Sequence, residues 1–177
     1  MIRLFAALAV PPEIVPGLVR RQNGLQGARW RPPEAFHITL RFFGDVREAM
    51  AIDLDIELEK VAGEALSLEL TGVGAFGEGP DIHAVWAGVA ASDRLTRLHQ
   101  ACEAAARRAG LPADGRAYRP HVTLAYLRRA DPDRVAAWIQ QNNLLHSPAF
   151  EIGTFGLYSS ELSEAGSRYT LEREYRL

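Results

Sequence analysis

Apolar residues recur along the chain with two periods, and this pattern predicts a mixture of strands and helices. Helical spacing covers residues 48–64, and another helix is expected from Pro11 and Pro12 to about residue 22. Because several strands follow one another directly, a mixed α+β fold is favoured over a purely parallel sheet. Runs and alternations typical of strands cover residues 2–10, 36–46, 66–76, 82–89, 121–127, 150–158 and 169–175.

Two further helices are marked by the residues at their ends. Ser92 is a favoured N-cap, and the apolar positions after it, including Cys102, share one helical face before Gly110 ends the helix. Asp131 and Pro132 supply an N-cap and a first-turn proline for a shorter helix. Both segments are therefore expected to pack one apolar face against the sheets.

Composition limits the class of protein. A chain of 177 residues can form one domain whose core needs no disulfide or metal. Its net charge of −2 lacks the basic character of proteins that bind long duplex nucleic acid. No apolar stretch approaches the length of a membrane span, and the N-terminus has no convincing signal-peptide cleavage site. Cys102 is the single cysteine, which excludes an internal disulfide and suits a reducing cytoplasm, where we expect the protein to be located.

One short sequence motif occurs twice. His37 begins the sequence His-Ile-Thr-Leu, and His121 begins His-Val-Thr-Leu, so both copies have the pattern His-x-Thr-Leu. Both copies lie in segments predicted to be strands, where side chains alternate between two faces. In the first copy the alternation puts His37, Thr39 and Arg41 on one face of the strand, and Ile38, Leu40 and Phe42 on the other. In the second copy it puts Arg119, His121 and Thr123 on one face, and Val122 and Leu124 on the other.

Two imidazoles across one cleft are suited to cleaving a phosphodiester. A neutral histidine takes a proton from water while a protonated one gives a proton to the leaving oxygen, and a pKa near ~6.5 makes both forms available. The hydroxyls of Thr39 and Thr123 are expected to donate to the non-bridging phosphate oxygens. Arg119 is expected either to contact the phosphate or to form a surface ion pair, and Arg41 to be structural or peripheral.

With their flanking sequences, the two motifs resemble the two-histidine (2H) phosphoesterases. Within that superfamily the chain is most similar to the RNA 2′,3′-cyclic phosphodiesterases, also called 2′-5′ RNA ligases. This resemblance implies a bilobal α+β fold, with two pseudo-symmetric lobes carrying antiparallel sheets around a central cleft. It also implies that residues 1–177 are a single domain made of two intertwined lobes. The similar segments span essentially the whole chain: residues 2–5, 30–44, 72–76, 86–89, 119–124 and 157–160.

The resemblance further implies a reaction in which a 2′,3′-cyclic phosphate opens to a 2′-phosphate without a metal or another cofactor. In that reaction His37 is the proton donor to the departing 3′ oxygen, and His121 is the proton acceptor that activates water. The implied partner is an RNA with such an end, for example a tRNA half. Neither a membrane nor an obligate protein partner is expected, and the protein is expected to be a monomer.

One position departs from the family pattern. The second motif usually continues with Leu-x-Arg, whereas this chain has Tyr126 in place of that arginine. Strand alternation puts Tyr126 on the face opposite His121 unless a bulge intervenes. The departure weakens binding of the terminal nucleotide, or else Arg128 and Arg129 replace the missing cation.

Other functions remain open. The same histidines would suit small cyclic nucleotides, an ADP-ribose cyclic phosphate or reversible 2′-5′ RNA ligation, and a non-catalytic RNA-binding module would retain the cleft. A zinc site is disfavoured because each motif supplies one histidine without a second ligand at the usual spacing. His83, His99 and His146 are therefore expected to be structural or exposed.

Three aromatic residues are candidates for stacking on a nucleobase: Phe5, Trp30 and Tyr158. Core packing is the stronger expectation for Phe5, and the role of Trp30 is left open. Cys102 is expected to be buried and inert.

Overall fold

The computed structural model describes residues 1–61, 63–163 and 166–177. The described part of the chain contains ten strands: β1 (Ile2–Ala9), β2 (Arg29–Trp30), β3 (His37–Val46), β4 (Leu66–Leu68), β5 (Leu70–Phe76), β6 (Ala84–Val89), β7 (His121–Tyr126), β8 (Phe150–Ile152), β9 (Thr154–Ser163) and β10 (Gly166–Arg176). These strands assemble into two four-stranded antiparallel sheets, ordered β10-β9-β1-β3 and β2-β7-β6-β5, and a small third sheet of β4 and β8. The helices of that part are α1 (Val15–Val19), α2 (Glu48–Glu59), α3 (Asp93–Arg108) and α4 (Pro132–Asn142), with 3₁₀ turns at Pro33–Ala35 and Gly79–Asp81.

This architecture confirms the predicted α+β class with antiparallel sheets. Two predicted strands, 66–76 and 150–158, are each divided in two, because their outer parts leave the large sheets and pair as β4 with β8. The helix predicted over 48–64 ends at Glu59, and residue 62 of that prediction lies outside the described residues. The first helix is confined to α1. No pattern of apolar residues predicts β2, which extends the second sheet by pairing with β7.

The two capped helices pack against the sheets, α3 against β3 and α4 against β5. The hydroxyl of Ser92 accepts a hydrogen bond from the Leu95 amide at 3.2 Å, which confirms the predicted N-cap of α3. The carboxylate of Asp131 caps α4 in the same way through the Asp133 amide at 3.0 Å. Cys102 is fully buried on α3, and burial raises the pKa of its thiol to about 12, so the thiol is protonated and inert at neutral pH, as expected. None of the helices in the described part of the chain has the length and apolar character needed to span a membrane.

Both motif strands contain a β-bulge at the same place. In β3, Thr39 pairs with Ala7 and Arg41 with Ala6 of β1, which leaves Leu40 as an extra residue. In β7, Thr123 pairs with Trp86 and Ala125 with Val85 of β6, which leaves Leu124 as the extra residue. A bulge directs two successive side chains to one side of the sheet and then shifts the alternation by one. The register is therefore interrupted at the leucine of each His-x-Thr-Leu motif.

The bulges correct the predicted alternation beyond each threonine. Leu40 and Arg41 are both buried on the core side, whereas Phe42 is on the face of His37 and Thr39. The predicted pairing of Arg41 with His37 on one face was therefore wrong. Tyr126 likewise is on the face of His121, because the bulge that the alternation argument allowed for is present.

Candidate active site

The two motif histidines are the first residues of β3 and β7, and each is oriented by the same backbone contact. The Nδ1 atom of His37 is 2.8 Å from the carbonyl oxygen of Ala35, and that of His121 is 2.6 Å from the carbonyl oxygen of Arg119. A carbonyl only accepts, so Nδ1 must carry the proton in both rings. The Nε2 atom of each neutral imidazole is therefore left as a bare acceptor for chemistry.

Aromatic side chains surround His37. The ring of Phe5 is 5.0 Å from the imidazole centroid, and the ring of Tyr169 meets the imidazole edge-on at 5.1 Å. This burial lowers the pKa of His37 to about 4, although the hydrogen bond to Ala35 opposes the shift. Positive charge on Arg31, and on His121 when it is protonated, lowers the pKa of His37 further. His37 is therefore neutral in the free protein at pH 7.

His121 has a more open environment. Phe76 meets its ring edge-on at 4.7 Å, and Trp86 is 6.2 Å away. Burial lowers the pKa of His121, and the hydrogen bond to Arg119 opposes that shift. Gly74 makes room for Trp86, since a Cβ atom at this glycine would collide with the indole ring.

A cavity of about 530 Å³ lies beside His121 and is large enough for a nucleotide. The predicted site residues Thr39 and Arg119 line it together with His121. Among the described residues, His37 and Thr123 are not part of this lining, although Thr123 shares the cleft face of β7 with His121. Three aromatic residues of the cavity wall were not predicted as site residues: Phe42, Phe76 and Tyr118. His99, which was expected to be structural or exposed, is in the wall with them.

Residues 114 and 116–119 form another part of the cavity wall, and an ion-pair network around the buried Arg41 holds this segment in place. Arg41 is 7% exposed, pairs with Glu103 of α3, and donates from Nη2 to the Pro112 carbonyl at 2.7 Å. Its Nη1 atom is 3.6 Å from Asp114, whose pKa is lowered to about 2 by hydrogen bonds from Arg116 despite partial burial. Arg41 is therefore structural, as expected.

A stacked pair completes the wall. The rings of His99 and Tyr118 are parallel at 3.9 Å. His99 donates from Nδ1 to the Leu40 carbonyl at 2.7 Å, and the Tyr118 hydroxyl donates to the Thr39 carbonyl at 3.2 Å. Both rings thus attach to the backbone of the first motif, and His99 has the structural role expected for it.

The chain matches one family of known proteins over most of its length. The family model described as the 2′-5′ RNA ligase superfamily matches residues 11–164, most of the chain. The chain belongs to this superfamily. The resemblance drawn from the two motifs is thereby confirmed.

Several relatives of this chain are named RNA 2′,3′-cyclic phosphodiesterase. The chain is 29% identical over 171 residues to the protein of that name from Archaeoglobus fulgidus, and the match covers 95% of this chain and 96% of the relative. It is 30% identical over 138 residues to the protein of that name from Aeropyrum pernix, covering 77% and 78%.

Solved structures confirm the fold of this superfamily member. The protein TT0787 of Thermus thermophilus superposes with a TM-score of 0.82 at 23% identity, over 99% of this chain and 98% of that one. LigT of E. coli, crystallised with 3′-AMP, superposes with a TM-score of 0.80 at 23% identity and the same coverage. At this identity the likeness establishes the architecture alone.

The three aromatic residues predicted as candidates for stacking on a nucleobase differ in their surroundings. Phe5 is 3% exposed and packs between His37 and Tyr158, which confirms core packing. Tyr158 stacks on Phe5 at 5.4 Å, and Trp30 packs 6.4 Å from Trp138 of α4. The cavity beside His121 therefore obtains its aromatic wall from other residues.

The remaining histidines are outside the paired motifs. His83 lines the cavity rim and bonds to the Asp81 carbonyl at 3.0 Å, whereas His146 is exposed and 3.5 Å from Glu69. Among the described residues of this superfamily member, no group of three or more His, Cys, Asp or Glu is placed to hold a metal ion.

Proposed function

We propose that this chain hydrolyses the 2′,3′-cyclic phosphate at the end of an RNA to a 2′-phosphate, without a metal or other cofactor. The observation that carries the proposal is the pair of imidazoles, His37 and His121, each fixed through Nδ1 so that Nε2 is free. The names of the relatives in Archaeoglobus fulgidus and Aeropyrum pernix support this substrate. The whole chain, residues 1–177, acts as one domain in which each lobe supplies one histidine.

The proposed step is a single displacement at phosphorus. His121 Nε2 takes a proton from water, the water oxygen forms a bond to phosphorus, and the bond from phosphorus to the 3′ oxygen breaks. His37 Nε2 delivers its proton to that departing oxygen. After the step His121 is protonated and His37 is neutral, so proton exchange with solvent restores the starting state.

This direction requires the substrate to change the protonation state of His37. Burial lowers the pKa of His37 to about 4, so its imidazolium is a strong acid once formed. The pKa of His121 is lowered as well, but its environment is more open. An anionic phosphate in the cleft raises the pKa of His37, so this histidine takes up its proton as the substrate binds.

Hydroxyl and guanidinium groups assist the two histidines. In the proposal Thr39 and Thr123 donate hydrogen bonds to the non-bridging oxygens, where negative charge increases in the transition state. Arg119 lines the cavity beside His121 and contacts the substrate there. The cavity holds the terminal nucleotide, and the rest of the RNA, for example a tRNA half, extends into solvent. We propose that the protein does this as a monomer in the cytoplasm, with no obligate protein partner.

An RNA oligonucleotide ending in 2′,3′-cyclic phosphate tests the proposal. With a chelator present, the protein is expected to produce a 2′-phosphate end. His37→Ala and His121→Ala are expected to abolish turnover, and the matched control His146→Ala is expected to keep it. Full activity in either motif variant, or a 3′-phosphate product, would contradict the mechanism.

The superfamily name motivates one further arm of the same experiment. An RNA 5′-hydroxyl can replace water as the nucleophile, so adding a second RNA with a free 5′-hydroxyl tests reversible 2′-5′ ligation. A cyclic mononucleotide tests whether the RNA beyond the terminal nucleotide is needed for turnover.

A further inference from the structure

Arg31 is a buried cation that the proposed mechanism does not yet use. It follows β2 directly and is 7% exposed. Its amide donates to the Leu124 carbonyl at 2.8 Å, at the bulge of the second motif, and its Nη2 donates to the Ser167 carbonyl of β10 at 3.1 Å. Since β7 and β10 belong to different sheets, Arg31 joins the two four-stranded sheets.

The guanidinium group lies against two tyrosine rings. Its carbon is 5.6 Å from the centroid of Tyr126 and 5.2 Å from that of Tyr169, distances at which cation–π attraction operates. Tyr169 in turn meets the His37 imidazole edge-on at 5.1 Å. The ring of Tyr169 therefore contacts both the guanidinium group of Arg31 and the imidazole of His37.

The bulge at Leu124 brings Tyr126 into this arrangement. Without it, Tyr126 would face the opposite side of β7 and its ring could not support Arg31. An aromatic ring has no positive charge to offer a phosphate, but here it provides a surface on which a guanidinium from the neighbouring strand rests. The charge of Arg31 is felt at His37, where it adds to the lowering of the pKa that burial causes.

We propose that Arg31, clamped between Tyr126 and Tyr169, supplies the positive charge that holds the substrate phosphate at the His37 end of the cleft. This inference rests on the proposed function, because it takes a phosphate between the two histidines as the ligand. Arg119 lines the cavity on the His121 side, so the phosphate lies between two cations. The second motif, which has a tyrosine at position 126, thus obtains its cation from the strand beside it.

Binding of adenosine 2′-monophosphate, followed by NMR titration, tests Arg31 independently of turnover. Arg31→Gln is expected to weaken binding about tenfold or more, as loss of a charged hydrogen-bonding partner does. Arg31→Lys keeps the charge but not the planar group that stacks on both rings, and is expected to bind within a few-fold of wild type. Arg134→Gln, on the surface of α4, is the matched control and should bind normally.

If Arg31 only stabilises the fold and does not attract the phosphate, its variants are expected to bind the nucleotide in a different order of affinity. In that case Arg31→Lys would bind as weakly as Arg31→Gln, and this result would overturn the inference, as would unaltered binding by a folded Arg31→Gln. The double variant Arg31→Gln/Tyr126→Arg returns a cation from position 126 and is expected to recover binding lost in the single variant. If Arg31→Gln does not fold, Arg31→Lys and the double variant decide between the two roles.

The result is separable from the fate of the proposed function. A wild-type protein that binds the nucleotide but leaves cyclic phosphate ends intact contradicts the proposed hydrolysis and leaves the Arg31 comparison valid. Loss of binding in Arg128→Gln together with unaltered binding in a folded Arg31→Gln would instead assign the replacement cation to the segment after β7 and overturn the inference.

Discussion

The buried state of His37 predicts that the folded protein loses stability as the pH falls below neutrality. The folded-state pKa of about 4 is lower than the ordinary value of 6.5, because burial disfavours the charged imidazolium. In the unfolded chain His37 protonates near pH 6.5, whereas the folded protein resists that proton. The unfolded state therefore binds more protons below pH 6.5, and stability is complete above that pH and declines toward pH 4.

The size of the effect follows from the two pKa values. A difference between 6.5 and about 4 corresponds to about 3 kcal/mol of unfolding free energy, fully lost once the pH is below the folded-state pKa. At pH 5 the unfolded chain is already protonated and the folded protein is not, so about 2 kcal/mol is lost. This is a large part of the stability of a domain, typically about 5–15 kcal/mol.

Urea unfolding of wild type and His37→Asn at pH 7 and pH 5 isolates the contribution. The amide nitrogen of asparagine takes the position of Nδ1 and can still donate to the Ala35 carbonyl, but the amide does not titrate, so other groups affect both proteins alike. Wild type is expected to lose about 2 kcal/mol more than the variant between these pH values. Equal losses in the two proteins would show that His37 is not held neutral by the fold.

Substitutions at three other positions test the structure and chemistry of the site. Arg41→Met leaves Glu103 without its cation and is expected to destabilise the fold by about 3 kcal/mol. Urea unfolding measures this loss, and an unchanged unfolding midpoint would contradict a stabilising role for the ion pairs of Arg41. Gly74→Val forces Trp86 from its place at a cost of about 1–3 kcal/mol, visible as altered tryptophan fluorescence, and an unaltered spectrum would argue against that contact. Thr39→Val should lower kcat about 100-fold on a cyclic phosphate end without lowering the unfolding temperature, whereas wild-type kcat would remove the hydroxyl from the mechanism.

The histidine and threonine positions were predictable because a repeated motif specifies its own first three positions. His37 and Thr39 precede the bulge, so strand alternation holds for them. The caps at Ser92 and Asp131 were predictable for a similar reason, since an N-cap depends on residues within one helical turn.

The positions after the threonine could not be predicted. A bulge depends on which residue of the neighbouring strand pairs with which, and nothing within the strand itself encodes that register. Simple alternation therefore puts Phe42 on the wrong face and leaves the face of Tyr126 conditional on a bulge. Arg31 was missed because its importance comes from Tyr169, which lies far along the chain on β10. A sequence pattern does not reveal contacts of that separation.

The two motif strands repeat the bulge but differ in what surrounds it, and the proposed mechanism depends on this difference. Hydrolysis by two histidines needs one protonated and one neutral imidazole, and two identical environments would give both the same pKa. In the first motif aromatic rings bury His37 and Arg31 adds a positive charge, so its pKa is lowered strongly. In the second motif His121 borders the open cavity, and Ala125 occupies the position that Arg41 has in the first motif. His37 is therefore neutral in the free protein, and its proposed role as proton donor requires the substrate phosphate to raise its pKa.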